Sequence, residues 1–237
     1  AGGAHLWIAS STRRQRLKVV LPAQEKTDWK REFRQAWLIL AFDAAVVAGF
    51  VHAGFLVADP NPAWYAPMLT AAAMFVYFEI YFYFSHRALH HPRLFWIHRH
   101  HHQGHGTTPW TSLSFSIAER TVLLFGSLVP TALLSQVIPL PLQGIGLYFL
   151  FNYVLNVMGH MNSEIAPAWF ARSPLATVIT TSTTHGLHHL RYKGNYGLFT
   201  LLLDRWFGTG FPDNREALGE VLAGRGAPRL ARPTVNL

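Results

Sequence analysis

The sequence predicts an all-α integral membrane protein, with four transmembrane helices in two hairpins and a histidine-rich helical cap on the cytoplasmic side. Three observations carry this expectation. Half of the 237 residues are apolar and the mean hydropathy is +0.16. Only 14% are charged, against about a quarter in ordinary soluble domains. Four apolar stretches approach the length that crosses a hydrocarbon layer, and the basic residues gather outside them.

The length suits one domain, placed at residues 1–212. Residues 1–34 are polar and basic (Arg13, Arg14, Arg16, Lys18, Lys30, Arg31, Arg34). They have no apolar run resembling a signal peptide and are expected at the membrane surface. The crossings are expected at about 36–57 and 65–84, joined by the turn Asp59-Pro-Asn-Pro62, and at 121–138 and 142–158, split at Pro139-Leu-Pro141. The last two are short and call for tilt or local thinning. Residues 86–120 and 160–212 make the cap, and 213–237, rich in Pro, Gly and Arg, a flexible tail. The two short turns lack Lys and Arg, so the positive-inside rule places both termini and the cap in the cytoplasm. The competing reading is a soluble bundle whose apolar segments are core helices.

The absence of cysteine excludes disulfides, iron–sulfur clusters, thiolate-ligated haem and a nucleophilic thiol. The net charge of +8 comes mainly from arginine and suits anionic lipid headgroups. No nucleic-acid-binding motif accompanies it.

Twelve of the 14 histidines lie between His86 and His189, mostly as His86-x3-His90-His91, His98-x-His100-His101-His102 and His185-x2-His188-His189. Residues three and four apart share a helix face, so each group can aim two or three imidazoles at one place. Neutral imidazole is the commonest metal ligand. Eight or more converging nitrogens exceed one ion's capacity, so two metals are the economical reading. His91, His100 and His105 are equally readable as solvated neighbours. Glu79, Tyr83, His86 and His90 fall along one helix face. Glu79 is then either a carboxylate that holds an imidazole N–H or an interfacial group reaching water. Asn152, Asn156 and His160 repeat the stripe: His160 reads as a ligand, Glu164 as a ligand or the partner of one, and the asparagines as interhelical glue.

With these residues assembled, the chain resembles the fatty acid hydroxylase superfamily, in particular its sterol desaturase branch, from about residue 77 to 210. The resemblance rests on Glu79 through His86-Arg-Ala-Leu-His90, His98-Arg-His-His101-His102, Thr108-Pro-Trp110, Gly159-His160 with Glu164, Thr184-His185-Gly-Leu-His188-His189, Asn195-Tyr-Gly197 and Asp204-Arg-Trp-Phe-Gly-Thr209. It implies a membrane non-haem diiron oxygenase that uses O2 and external electrons to hydroxylate or desaturate a lipid C–H bond. The matching ligands of the two irons are His86, His90, His98, His101, His102, His160, His185, His188 and His189, with zinc as a possible substitute. Two positions depart from the family pattern. Phe115-Ser-Ile-Ala-Glu119 lacks a histidine many members carry there, and Glu79 stands where Asp is common.

The substrate is expected to enter sideways from the bilayer, with Tyr83, Trp110 and Asn156 as candidate walls. No haem, flavin or nicotinamide signature is present, so electrons must come from a ferredoxin or a cytochrome b5-like protein with its NAD(P)H reductase. A membrane zinc hydrolase would want His-Glu-x-x-His, which is absent. A metal transporter would place its ligands near the bilayer midplane. Arg- and Ala-rich, Lys-poor usage hints at a bacterial cytoplasmic membrane.

Overall fold

The computed structural model describes residues 1–21, 25, 27–103 and 106–227, and all regular structure among them is helical. Two short helices, α1 (Gly2–Ser10) and α2 (Thr12–Arg16), precede the long α3 (Trp29–His52) and α4 (Ala66–Leu89). After α5 (Phe95–His98) come α6 (Ile117–Ser135) and α7 (Leu142–Gly159), then α8 (Ser182–Arg191), α9 (Leu202–Trp206) and α10 (Asn214–Leu222).

Local chemistry sets the ends of the long helices. Asp28 accepts the Arg31 N–H at the start of α3, and Gly54, at φ +71°, closes its C-terminal end. The first apolar helix therefore begins seven residues before, and ends five residues before, the expected 36–57. Ser116 caps α6 by accepting the Glu119 N–H, and Pro130 is tolerated within that helix.

Among the described residues, three helices, α3, α4 and α6, are long and apolar enough to cross a membrane, with mean hydropathies of 1.5, 1.3 and 1.4. The expected fourth crossing is corrected: α7 is not among them. It is 18 residues long, and Gln143, Asn152 and Asn156 dilute its apolar character.

The hairpins α3–α4 and α6–α7 nevertheless stand side by side. Their turns are tied by the Ala58–Leu140 bridge, with Asp59 N donating to Leu140 O and Leu140 N to Val57 O, each at 3.0 Å. Helices α4 and α7 approach closely because Gly144 has no side chain: a Cβ there would lie 2.6 Å from the Pro67 carbonyl. Phe78, Phe82, Leu123 and Tyr148 fill the core between the helices. Asp43 of α3 and Arg120 of α6 form a buried two-pronged ion pair, both bonds 2.7 Å, joined by the Tyr153 hydroxyl from α7.

The cap lies at the opposite end from the tied turns. The N-terminal segment is strapped onto it: Val19 N donates to Asn162 O (3.1 Å) and Arg14 to the Glu164 carbonyl (2.7 Å). Residues 214–222, within the expected flexible tail, form α10, and its Ala217, Leu218 and Val221 are fully buried. Residues 228–237 of that tail and His105 lie outside the described residues.

Candidate metal centre

The nine histidines assigned from the sequence fall into two adjoining groups. His86, His90, His98, His102 and His188 form one, and His101, His160, His185 and His189 the other. Within each group, one nitrogen per ring lies within 4.8 Å of all the others. His86 and His90 come from the last turn of α4, His98 from α5, His101 and His102 from the turn after it, and His160 from the end of α7.

Helix α8 supplies His185, His188 and His189. Its N-terminus is held by a capping box between Thr181 and Thr184. Glu164, buried beneath it, accepts from Thr183 N (3.0 Å) and Thr183 Oγ1 (2.6 Å). A carboxylate at a helix N-terminus satisfies free N–H groups and complements the dipole.

Five rings have their protonation pattern set by the Nδ1 partner. His86, His160 and His188 donate from Nδ1 to the carbonyls of Tyr196, Asn156 and Gly194, each at 2.8 Å. His101 reaches the Ser114 carbonyl at 3.4 Å, and His98 Nδ1 is oriented by Glu119 Oε1 at 2.6 Å. A carbonyl only accepts, so Nδ1 carries the hydrogen and Nε2 the lone pair.

These lone pairs face one another. The Nε2 atoms of His86 and His98 stand 3.1 Å apart, and those of His101 and His160 3.2 Å apart. With both Nδ1 atoms held by carbonyls, the neutral His101–His160 pair has no hydrogen to share, so that contact is repulsive unless a cation lies among the nitrogens. Protonation is an unfavourable remedy. Burial, with repulsion from neighbouring rings, pushes His98, His101, His102, His185 and His189 well below the ordinary histidine range. Burial brings His160 and His188 down to about 4. Neutral nitrogen donors in two such groups fit two transition-metal ions.

The remaining sequence candidates sit elsewhere. Glu79 does not touch an imidazole: it accepts from Thr200 N (2.7 Å), Thr200 Oγ1 (2.8 Å) and Phe199 N (3.2 Å), and so pins the loop before α9. Glu164 likewise spends its oxygens on Ile165 N, Ala166 N and Thr183. His91 is exposed and accepts from Arg93 N. Tyr83 is buried against Thr209 (2.9 Å), and Trp110 packs edge-on against Phe33; neither lines the cavity beside the histidine groups. Asn156 does line it, donating to Ser112 O and leaving its Oδ1 unpartnered.

Three supporting residues stand outside the site candidates read from the sequence, although Asn195 and Asp204 belong to motifs that carry the resemblance. Glu119 orients His98 and turns a buried, unpartnered Oε2 toward the same cavity; its only signal was the Phe115–Glu119 stretch noted for a missing histidine. Asp204 accepts from Tyr196 N, Gly197 N and Thr209 Oγ1, fixing the loop whose Tyr196 carbonyl holds His86. Asn195, at φ +53°, accepts from Phe211 N and donates to the Thr184 carbonyl.

The sequence profile described as fatty acid hydroxylase matches residues 71–209, from the second turn of α4 to beyond α9, and so spans all three histidine groups. The chain belongs to the fatty acid hydroxylase family. This hydroxylase-family chain is 31% identical over 231 residues to very-long-chain aldehyde decarbonylase GL1-6 of Oryza sativa subsp. indica, covering 93% of the chain and 36% of that relative. It is 34% identical over 134 residues to very-long-chain aldehyde decarbonylase GL1-4 of the same plant, and 36% identical over 136 residues to protein CER1-like 1 of Arabidopsis thaliana. Each of these two matches covers 55% of the chain and 22% or 21% of the relative, so the chain spans between a fifth and about a third of these relatives. No solved structure matches it. Family membership and the three apolar helices among the described residues point to a membrane protein. The relatives are plant proteins and lend no support to the bacterial membrane suggested by amino-acid usage.

Proposed function

We propose that the chain is a membrane-bound diiron oxygenase, acting with O2 and externally supplied electrons on a C–H bond of a lipid chain. The observation that carries this reading is the pair of adjoining neutral-imidazole groups facing an apolar cavity at the end of membrane-length helices. Two irons held by the nine histidines supply the oxygen activation that no side chain can perform alone.

The protein's own contributions are binding, orientation and exclusion of water. Carbonyl and carboxylate partners on Nδ1 lock five rings before any metal arrives, so little reorganisation accompanies the reaction. Phe78, Phe82, Phe115 and Leu123 wall the cavity and keep bulk water from the ligands. The Glu119 carboxyl and the Asn156 side chain, whose Oε2 and Oδ1 lack protein partners, add two polar groups to the lining of that cavity.

Against the hydrolase reading, Glu79 and Glu164 are committed to other donors, and the Glu119 carboxyl is already engaged through Oε1 with His98.

An acidic ferredoxin or a cytochrome b5-like carrier, fed by its NAD(P)H reductase, completes the system. Arg93, Arg99 and Lys193 are exposed and lie within four residues of His90, His98 and His189 in the sequence, and His90 is the least buried of the nine rings. The cap is placed on the cytoplasmic side, where such carriers occur. Donor-driven reduction is expected to slow steeply as salt rises; stopped-flow rates independent of ionic strength would remove this partner class.

The deciding experiment is metal analysis with iron spectroscopy on detergent-purified protein reduced anaerobically, followed by exposure to O2 with long-chain fatty aldehydes and acyl lipids. The relatives' names put the aldehydes first. Two irons per chain and an oxidised lipid product are expected. One zinc with no iron uptake sinks the proposal.

A further inference from the structure

Two unequal spaces lead toward the histidines from the side of the apolar helices. Against the ring nitrogens lies a cavity of about 20 Å³, floored by His86, His98, His101, His160 and His185. It has room for roughly one water molecule. Beside it, a pocket of about 490 Å³ opens between α4, α7 and residues 164–182, lined by Phe75, Leu155, Met158, Phe170 and Ile179. One residue, Leu198, lines both spaces.

The chain on either side of Leu198 is pinned. Upstream, Gly197 N donates to Asp204 Oδ2 at 2.7 Å. Downstream, Phe199 N and Thr200 N both donate to Glu79, and the Phe199 ring stacks on Phe75 with centroids 4.7 Å apart. The backbone is therefore fixed, and what can move is the Leu198 side chain, by a rotamer change. A second apolar pocket of about 420 Å³, around Leu69, Pro130 and Leu134, shares no lining residue with the metal-side cavity and reaches Leu140 at the tied turns. It leads nowhere near the ligands.

We propose that Leu198 is the partition between a lateral port for a linear acyl chain and the metal-side cavity, and that its side chain sets which carbon of that chain is oxidised. The proposal deepens the oxygenase reading and rests on it for the chemistry, though not for the port. The size contrast selects the occupant. A rigid fused-ring lipid cannot enter a space of about 20 Å³ between pinned backbones, whereas a flexible chain needs only one methylene segment to pass as Leu198 swings aside. The outer pocket also offers one polar anchor: Thr180 Oγ1 is buried there without a partner and can donate to an oxygen on the lipid head.

The test uses the full chain in lipid nanodiscs, first loaded with redox-inert zinc. The probe is a long-chain alcohol carrying a mid-chain diazirine; labelled peptides are mapped by mass spectrometry. Wild type is expected to be labelled near Leu155, Ile179 and the 86–102 histidine stretch. Leu198→Trp should keep the first two and lose the third, while the near-isosteric Leu198→Met keeps all three and reports correct folding. Labelling around Leu69 and Leu134 with none near Leu155 overturns the port. Labelling of the histidine stretch unchanged in Leu198→Trp overturns the partition. In the iron-loaded enzyme, Leu198→Ala should move the site of oxidation along the chain, and Leu198→Trp should lower turnover about a hundredfold, as misplacement at a reacting centre can. An unmoved product in Leu198→Ala counts against control by Leu198. The expected labelling in zinc protein with no oxidation in iron protein supports the port and sinks the oxygenase reading instead.

Discussion

His86 and His91 lie five residues apart and have opposite fates. His86 is buried, its Nδ1 held by Tyr196 O and its Nε2 turned toward His98, while His91 is exposed and meets only the Arg93 N–H. His86→Ala or His188→Ala is therefore expected to lower bound metal sharply, and His91→Ala to leave it unchanged, as read by metal analysis of protein purified in parallel. Titration gives a second residue-scale expectation. The buried rings are held neutral, with His160 and His188 down to about 4 from an ordinary 6.5. The unfolded chain therefore binds more protons between those values than the metal-free fold does, so stability rises with pH across this window. The metal-free protein should be most stable above pH 6.5 and lose Tm progressively as pH falls toward 4; a flat Tm from 7 to 4 would contradict this. Spacing made the grouping of these histidines legible because a helix turns a sequence interval into a direction. It could not separate Glu79 from Glu119. Both are carboxylates on helices near the histidines, and which meets a ring depends on how α4, α5 and α6 are docked.

At the scale of elements, α8 shows how a short helix is made rigid enough to carry three of the rings. It has ten residues, too few to be stable alone in water. Its first turn is instead fixed by the Thr181–Thr184 box and by Glu164. Thr181→Ala should cost about 1 kcal/mol, and Glu164→Ala more, because it leaves Thr183 N and Ile165 N without their acceptor. Denaturation of the zinc-loaded protein checks both. The long helices were readable from apolar runs, with ends misjudged where a cap decides them: Asp28 begins α3 well before its apolar stretch, and Gly54 stops it early. Helix α7 was misread as a crossing because its apolar residues are frequent. Its Asn156, bonded to Ser112 O and facing the metal-side cavity, shows that part of its surface belongs to the site.

In the whole molecule, hairpins tied at one end carry the metal cap at the other, and the Asp43–Arg120 pair joins α3 to α6 between them. Asp43→Ala strands a buried guanidinium and is expected to destabilise the protein by about 3–5 kcal/mol, seen as a lower midpoint in a detergent-denaturation series; Asp43→Ala together with Arg120→Met should recover much of the loss. This pairing could not be read from sequence, since 77 residues separate its members. The opposed ring nitrogens have a practical consequence as well. Rings already aimed and already neutral present every late first-row divalent ion with a ready cage, and imidazole has no strong preference between iron and zinc. The metal found in a preparation will therefore be a record of the culture medium, and an inactive batch should first be read as a history of what the cells were fed.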